Sequence, residues 1–188
     1  MTTSAASRLL RIPADLQVPG FASPVPLTGE HELDGFDCGS DAQSDWLRRY
    51  ARQAQAAGTS RVYVVTLPGS KTVVGYYALA AGSVEPTDAP DRLFKGAGRY
   101  PAPVVLMTRL GVDRTAQGLG LGRSLVIDAL SRVVQAADVI GVRALLIHAE
   151  SEKARQFYLR LAEFESSPTD PLHLILLMKD LRAALSAD

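Results

Sequence analysis

The chain has 188 residues, which suits one domain with a full hydrophobic core. Its 47% hydrophobic and 21% charged residues are ordinary for a globular protein, and a formal net charge of zero excludes attraction of polyanions by overall charge. The single cysteine, Cys38, excludes an internal disulfide and agrees with a reducing cytoplasm, and no apolar run reaches membrane-spanning length.

Residues 1–26 carry Pro13, Pro19, Pro24 and Pro26 and no apolar core before a cleavage site, so they read as an irregular arm and not a signal peptide. Ser40 or Asp41 caps a helix expected over 42–57, with Trp46, Leu47, Tyr50 and Ala54 at helical spacing and Gly58 as its stop. Residues 61–67 and 72–84 read as two strands joined by the turn Pro68-Gly69-Ser70-Lys71, with Gly75 marking a bulge. Residues 85–102 hold three prolines and two glycines and read as a loop with one helical turn over 92–95. A buried strand follows at 104–112, then a helix over 121–137 that buries Leu121, Leu125, Ile127, Leu130, Val134 and Ala137. Gly141 ends that pattern. Residues 142–149 form another apolar strand, Ser151 caps a helix to 162 carrying Phe157, Tyr158 and Leu161, and 171–178 is the last strand. A short polar tail or helix occupies 180–188. The order predicts an α/β fold with a mixed sheet and one domain over 27–179.

The most informative stretch runs from Pro103 to Arg123. A strand ends in a polar turn, then Gln117-Gly118-Leu119-Gly120-Leu121-Gly122 opens a helix. The first N–H groups of a helix have no internal partner, and the helix dipole adds partial positive charge there. Glycines let backbone approach a diphosphate closely. The spacing is neither the dinucleotide G-x-G-x-x-G nor a P-loop, since no lysine follows. It is Q-x-x-G-x-G, directly after Leu110-Gly111-Val112-Asp113.

That pattern resembles the acyl-CoA loop of the GCN5-related N-acetyltransferases (GNAT), and the element order over about 25–179 resembles the GNAT fold, a mixed, mostly antiparallel sheet flanked by helices. Further segments narrow the likeness: P-L-T-G-E-H-E-L-D-G-F-D-C-G at 26–39, D-W-L-R-R-Y at 45–50, G-Y-Y-A-L-A-A-G-S-V at 75–84, R-L-G-V-D at 109–113, G-V-R-A-L-L-I-H-A at 141–149 and A-R-Q-F-Y at 154–158. Together they resemble the acetyltransferase toxins of type II toxin–antitoxin modules. The resemblance implies transfer of acetyl from acetyl-CoA to the α-amine of aminoacyl-tRNA, which blocks translation. It also implies a ribbon-helix-helix antitoxin as partner and a homodimer.

By the same resemblance, the backbone of Leu110, Gly111 and Val112 pairs with the pantetheine arm. The N–H groups of Gln117, Gly118, Leu119, Gly120, Leu121, Gly122 and Arg123 hold the pyrophosphate, with the Arg123 side chain adding a charge. The catalytic tyrosine falls on Tyr158, whose phenol can protonate the leaving thiolate. The family often has a glycine shortly after this tyrosine; here Leu159 to Phe164 has none, which leaves the following turn open.

No Asp, Glu or His lies within 104–112 to act as a base. A lysine side chain has a pKa of about 10.4 and an α-amine about 7.7–8.0, so the missing base tilts toward an α-amine. His148 reads as a structural imidazole that could face the cleft, and His31 and His173 as surface or strand-edge residues. Cys38 reads as a small buried side chain and Trp46 as helix core. No histidine pair has metal-ligand spacing, so no metal is expected. The candidate tRNA contacts are Arg48, Arg49, Arg52 and Arg61 around the first helix, and Arg92, Lys95 and Arg99 in the long loop. The residues leave other readings open: an enzyme acetylating a small amine or a protein N-terminus, a cofactor-binding regulator without turnover, or a module that binds its antitoxin and little else.

Overall fold

The computed structural model describes residues 18–185, so Pro13, most of the expected arm and residues 186–188 of the tail lie outside the described residues. Seven strands form one open sheet in the order β1-β2-β3-β4-β5-β7-β6. They are β1 (Val25–Pro26), β2 (Arg61–Thr66), β3 (Val73–Val84), β4 (Ala102–Val112), β5 (Ala144–His148), β6 (Glu165–Ser166) and β7 (His173–Leu177). Every neighbouring pair is antiparallel except β4 with β5, which is parallel, giving the mixed, mostly antiparallel sheet that the sequence predicts. Helices α1 (Asp41–Arg49), α2 (Ala51–Ala57), α3 (Asp91–Phe94), α4 (Leu121–Val139), α5 (Glu152–Leu159) and α6 (Met178–Leu185) flank it.

Side chains alternate across β3 as a strand requires. Tyr77 enters the core under α4 with Leu121, Leu125, Ile127 and Leu130. Its neighbour Tyr76 enters the opposite core with Phe36, Leu47, Ala51, Val62 and Val64 under α1 and α2. Gly75 lets α4 sit close on the sheet: a Cβ there would stand 3.0 Å from the Leu121 side chain and 3.1 Å from that of Leu125.

Several expectations change in detail. The helix expected over 42–57 is interrupted at Tyr50, whose φ of −119° is stretched from the helical value although its N–H still reaches the Trp46 carbonyl. No proline or glycine marks the break. It lets α1 pack on β4 while α2 turns to the β2 edge, where the Gln55 side chain accepts the Val62 N–H at 2.9 Å. The bulge expected at Gly75 falls on its neighbour: Val65 pairs with Gly75 and Thr66 with Val73, leaving Val74 unmatched. The helix expected to reach 162 ends at Leu159, and its cap, Arg160, is right-handed, so the exit needs no glycine. Two short strands, β1 and β6, lie where no strand was expected. The end of the arm packs on the domain, with Phe21 buried beside the core. The last helix is not wholly polar, because Leu181 is buried.

One buried polar network ties α4 to the sheet. The Tyr77 hydroxyl donates to Asp128 Oδ2, and Arg132 Nε donates to the same oxygen at 2.9 Å. The Arg132 guanidinium lies 4.0 Å from the Tyr63 ring centroid, Tyr63 stacks on Tyr77, and Arg132 Nη2 donates to the Pro24 carbonyl. Replacing Asp128 with alanine strands a buried phenol and a half-buried cation. We expect a loss of about 2–4 kcal/mol, scaled down from fully buried pairs because Arg132 keeps some solvent. Urea unfolding monitored by circular dichroism reads it; an unchanged midpoint would show that α4 docks without the network.

Candidate active site

The site starts where two strands part. β4 and β5 pair only from Val104 with Ala144 to Met107 with Ile147. At that point the β3–β4 register also slips: Ala78 pairs with Arg109 and Leu79 with Met107, so Thr108 is a bulge. Beyond it, β4 continues to Val112 on β3 while its other flank faces open space. That flank offers backbone groups to which an amide-bearing arm can add as a strand would.

The open flank runs into the glycine loop. Gly118 and Gly120 have φ of +77° and +87°, a region that side chains disfavour. Gly120 occupies the cap position of α4 and no side chain caps the helix, so the N–H groups of Leu121, Gly122 and Arg123 remain for a ligand. At Gly122 an added Cβ would lie 3.4 Å from the Phe157 ring and 3.6 Å from Val112, both lining residues. Gln117 braces the loop: its side-chain amide donates to the carbonyls of Cys38 and Val112, each at 2.9 Å.

Flank and loop line one cleft of about 430 Å3, within the usual range for a small-molecule site. Leu110, Gly111, Val112, Gln117, Gly118, Gly120, Gly122 and Arg123 all line it. Leu119 does not, since its side chain points to solvent, and Leu121 does not, since its side chain is core. Gly111 is forced by its other neighbour: a Cβ there would come within 2.7 Å of the Tyr76 ring. The cleft fits a diphosphate at the open cap of α4 and a pantetheine chain along β4.

A second cleft, of about 580 Å3, opens on the other side and is lined by Trp46, Arg109 and His148 among others. Gln43 and Glu150 line both clefts, so the two meet there. Two sequence expectations are corrected here. Trp46 is only half-buried: it stacks on Tyr76 with centroids 6.0 Å apart and lines the second cleft. Cys38 is half-buried as well and lines the first, held by Ser44 and the Ser40 carbonyl. Both sit at the end of the sheet where β4 and β5 open, which a single helix pattern does not reveal.

His148 faces the second cleft and stacks on His173 across the β5–β7 pair, centroids 3.8 Å apart. Burial, then the neighbouring His173, lower its pKa, which favours the neutral ring. Arg109 lies 5.4 Å from the Trp46 centroid, donates to the Thr108 carbonyl, and leaves its buried Nε without a partner. Asp113, at the end of β4, is structural. Burial acts to raise its pKa, but the Asp37 N–H and Thr115 outweigh it and hold the carboxyl below the usual range.

Tyr158 lies on α5, one residue after Phe157, which lines the first cleft. Its ring is buried against Phe157 and Phe164, and its hydroxyl makes no hydrogen bond to a protein group among the described residues. Burial, then the charge of Glu150, push the phenol pKa well above its ordinary value, so the proton stays on oxygen across the neutral range.

The basic residues fall into two groups. Arg48, Arg49 and Arg52 lie on α1 and α2 but do not line the second cleft, and Arg61 follows Ser60, which does. Arg48 is held by Asp45 at 2.7 Å and the Phe36 carbonyl, Arg52 by the His31 carbonyl, and Arg49 is exposed. Arg92, Lys95 and Arg99 lie before β4, at the opposite end of that strand from the glycine loop. Arg92 clamps Glu165 and Asp180, each at 2.6 Å, tying α3 to β6 and α6.

No protein-family model matches the chain. A curated tRNA-acetylating toxin of Mycobacterium tuberculosis is 47% identical over 166 residues, 88% of this chain and 98% of that protein. The chain belongs to this family of GNAT-type tRNA-acetylating toxins. It is an acetyl-CoA-dependent N-acetyltransferase. Among solved structures, the AtaT toxin complexed with acetyl-methionyl-tRNAfMet matches with a TM-score of 0.81 at 26% identity, over 88% of this chain and 99% of that one. A tyrosine-to-phenylalanine variant of AtaT, bound to the C-terminus of the antitoxin AtaR and to acetyl-CoA, matches with a TM-score of 0.72 at 26% identity, over 87% and 96%. No helix of the described residues is long and apolar enough to cross a membrane.

The family assignment makes the first cleft testable. Gly122→Val drives a branched side chain between Phe157 and Val112, so acetyl-CoA affinity by calorimetry should fall at least tenfold in a folded protein. Unchanged affinity would place the cofactor elsewhere.

Proposed function

We propose that this protein transfers the acetyl group of acetyl-CoA to the α-amine of aminoacyl-tRNA in the cytoplasm and thereby stops translation. The observation that carries the reading is the meeting of two clefts at the parting of β4 and β5. One ends in the open cap of α4, and the other is lined by Gln43 and Trp46 of α1 together with Arg109 and His148. In this reading Leu110, Gly111 and Val112 hold the pantetheine arm through backbone. The N–H groups from Gln117 to Arg123 hold the pyrophosphate, with those of Leu119 and Leu121 acting through backbone alone. A single acetyltransferase domain is proposed over 27–179, to which β1 and Phe21 before it and Leu181 of α6 after it add core and sheet contacts. A ribbon-helix-helix antitoxin and a homodimer complete the assembly; support for the antitoxin is the antitoxin-bound AtaT relative.

Tyr158 is the proposed acid. The amine attacks the thioester carbonyl, the C–S bond breaks, and the phenol proton passes to the departing sulfur. A buried, protonated hydroxyl that no protein group claims suits this task. Tyr158→Phe keeps the ring and its packing. Turnover should fall roughly a hundredfold or more while acetyl-CoA affinity holds, since the loop and β4 are untouched. Mass spectrometry of tRNA after incubation with labelled acetyl-CoA reads the product, and near-normal acetylation by the phenylalanine variant would remove the hydroxyl from the mechanism.

The tRNA surface is proposed on the α1–α2 side, at Arg48, Arg49, Arg52 and Arg61, with Arg92, Lys95 and Arg99 at the far end of β4 as secondary contacts. Reversing Arg48, Arg49 and Arg52 to glutamate should weaken tRNA binding strongly and leave acetyl-CoA binding alone. Binding by the native protein should fall steeply with salt as counterions are released. A flat salt response would move the tRNA surface elsewhere.

A further inference from the structure

The proposed reaction releases a proton from nitrogen, and β4 supplies no group to take it. The new bond has to form where the two clefts meet, and among the described residues two line both: Gln43 and Glu150. Gln43 cannot accept a proton at neutral pH, whereas Glu150 can. Glu150 lies two residues past the end of β5, just beyond the point where that strand leaves β4, and it is exposed in the clefts that open there. One carboxylate oxygen, Oε1, accepts the Ser40 hydroxyl at 2.6 Å; the other accepts no protein donor among the described residues. Ser40 is itself the cap of α1, so the bond fixes the carboxylate against the helix that borders the second cleft.

We infer that Glu150 receives the α-ammonium of the aminoacyl ester and takes the proton that nitrogen loses on acetylation; the inference rests on the proposed aminoacyl-tRNA reaction. Its free oxygen first pairs with the ammonium group, which gives one proton to bulk water and becomes the neutral amine, leaving Glu150 ionised. The amine lone pair then forms the N–C bond at the thioester carbonyl and the C–S bond breaks. Tyr158 gives its proton to sulfur, the surplus proton on nitrogen goes to Glu150, and return of that proton to the Tyr158 oxygen restores both groups. The sum is amine plus acetyl-CoA giving amide plus free thiol, with no other reactant. The negative charge of Glu150 already acts on the Tyr158 hydroxyl, so the two lie within electrostatic reach. The other charged or titratable groups around Glu150 are Cys38 and Arg123 in the first cleft, Arg109 and His148 in the second, and Tyr76 beneath them.

The test uses the full chain, one aminoacyl-tRNA species and its uncharged form, and compares Glu150→Gln with native protein. Without acetyl-CoA, native protein should bind the charged tRNA about fivefold more tightly than the uncharged one, the scale of one ion pair, and the variant should lose that preference. With saturating acetyl-CoA, kcat of the variant should fall by roughly a hundredfold near pH 7. The deficit should shrink as pH rises past about 8, where an ordinary α-amine is already neutral. Calorimetry with acetyl-CoA confirms a folded variant. Ser40→Ala removes the hydrogen bond and keeps the carboxylate, so its loss should be several-fold smaller. Equal losses in the two variants, or a Glu150→Gln protein within twofold of native at every pH, would overturn the inference. If native protein itself leaves aminoacyl-tRNA unmodified, it is the proposed function that fails.

Discussion

Everything that the site does depends on one broken pairing. A parallel pair of strands is continuous by default, because each unpaired backbone group in a sheet interior is costly. Here the pairing of β4 with β5 stops at Met107 and Ile147, and the Thr108 bulge on the β3 side adds local twist at the same level. The exposed flank of β4 is tolerated because it lines an open cleft, where water or a ligand can satisfy it. The same opening aims the end of β5 away from β4, which separates His148 and Glu150 from Leu110 and leaves room for an acceptor. The two clefts are therefore consequences of one parting, and a change that re-paired the strands would close both.

The charges follow a division of labour that net charge hides. Most arginines are committed to carboxylates or carbonyls within the fold: Arg92 to Glu165 and Asp180, Arg114 to Asp37, Arg132 to Asp128, Arg143 to the carbonyls of Leu93 and Lys95. Arg109, held by the adjacent Thr108 carbonyl but by no carboxylate, and Arg123 differ from these. Each lines a cleft, and neither forms an ion pair among the described residues. A chain with zero formal charge can thus hold an anion on either side of its reacting centre.

The sequence made the loop, the strand before it and the helix after it legible, because that unit is local: the glycines, the cap and the apolar spacing lie within twenty residues. The mixed sheet was legible in outline for the same reason, since the hairpin and the strand–helix–strand crossover are each local in the chain. The second cleft was not. Trp46, Arg109 and Glu150 come from a helix, a strand and a strand end that are distant in sequence, and each has an ordinary explanation alone. Ser40 was readable as a cap; that its hydroxyl also reaches Glu150 is a tertiary fact. The break at Tyr50 carries no proline or glycine, so pattern reading ran one helix through it.

Gly111 links two parts of the molecule that seem independent. It lies on the flank expected to hold the pantetheine arm, yet what forbids a side chain there is the Tyr76 ring behind it, with the Phe36 ring next in line at 3.3 Å. Tyr76 in turn supports Trp46 on one side and donates its hydroxyl to the Gln43 carbonyl at 2.7 Å. Sequence drift is therefore coupled across the strand pair. A lineage that gains a methyl group at position 111 has to give up ring volume at 76, and with it the platform under Trp46 and the second cleft. Substitutions that reshape the second cleft should then travel through evolution together with substitutions on β4, as linked changes and not as free ones.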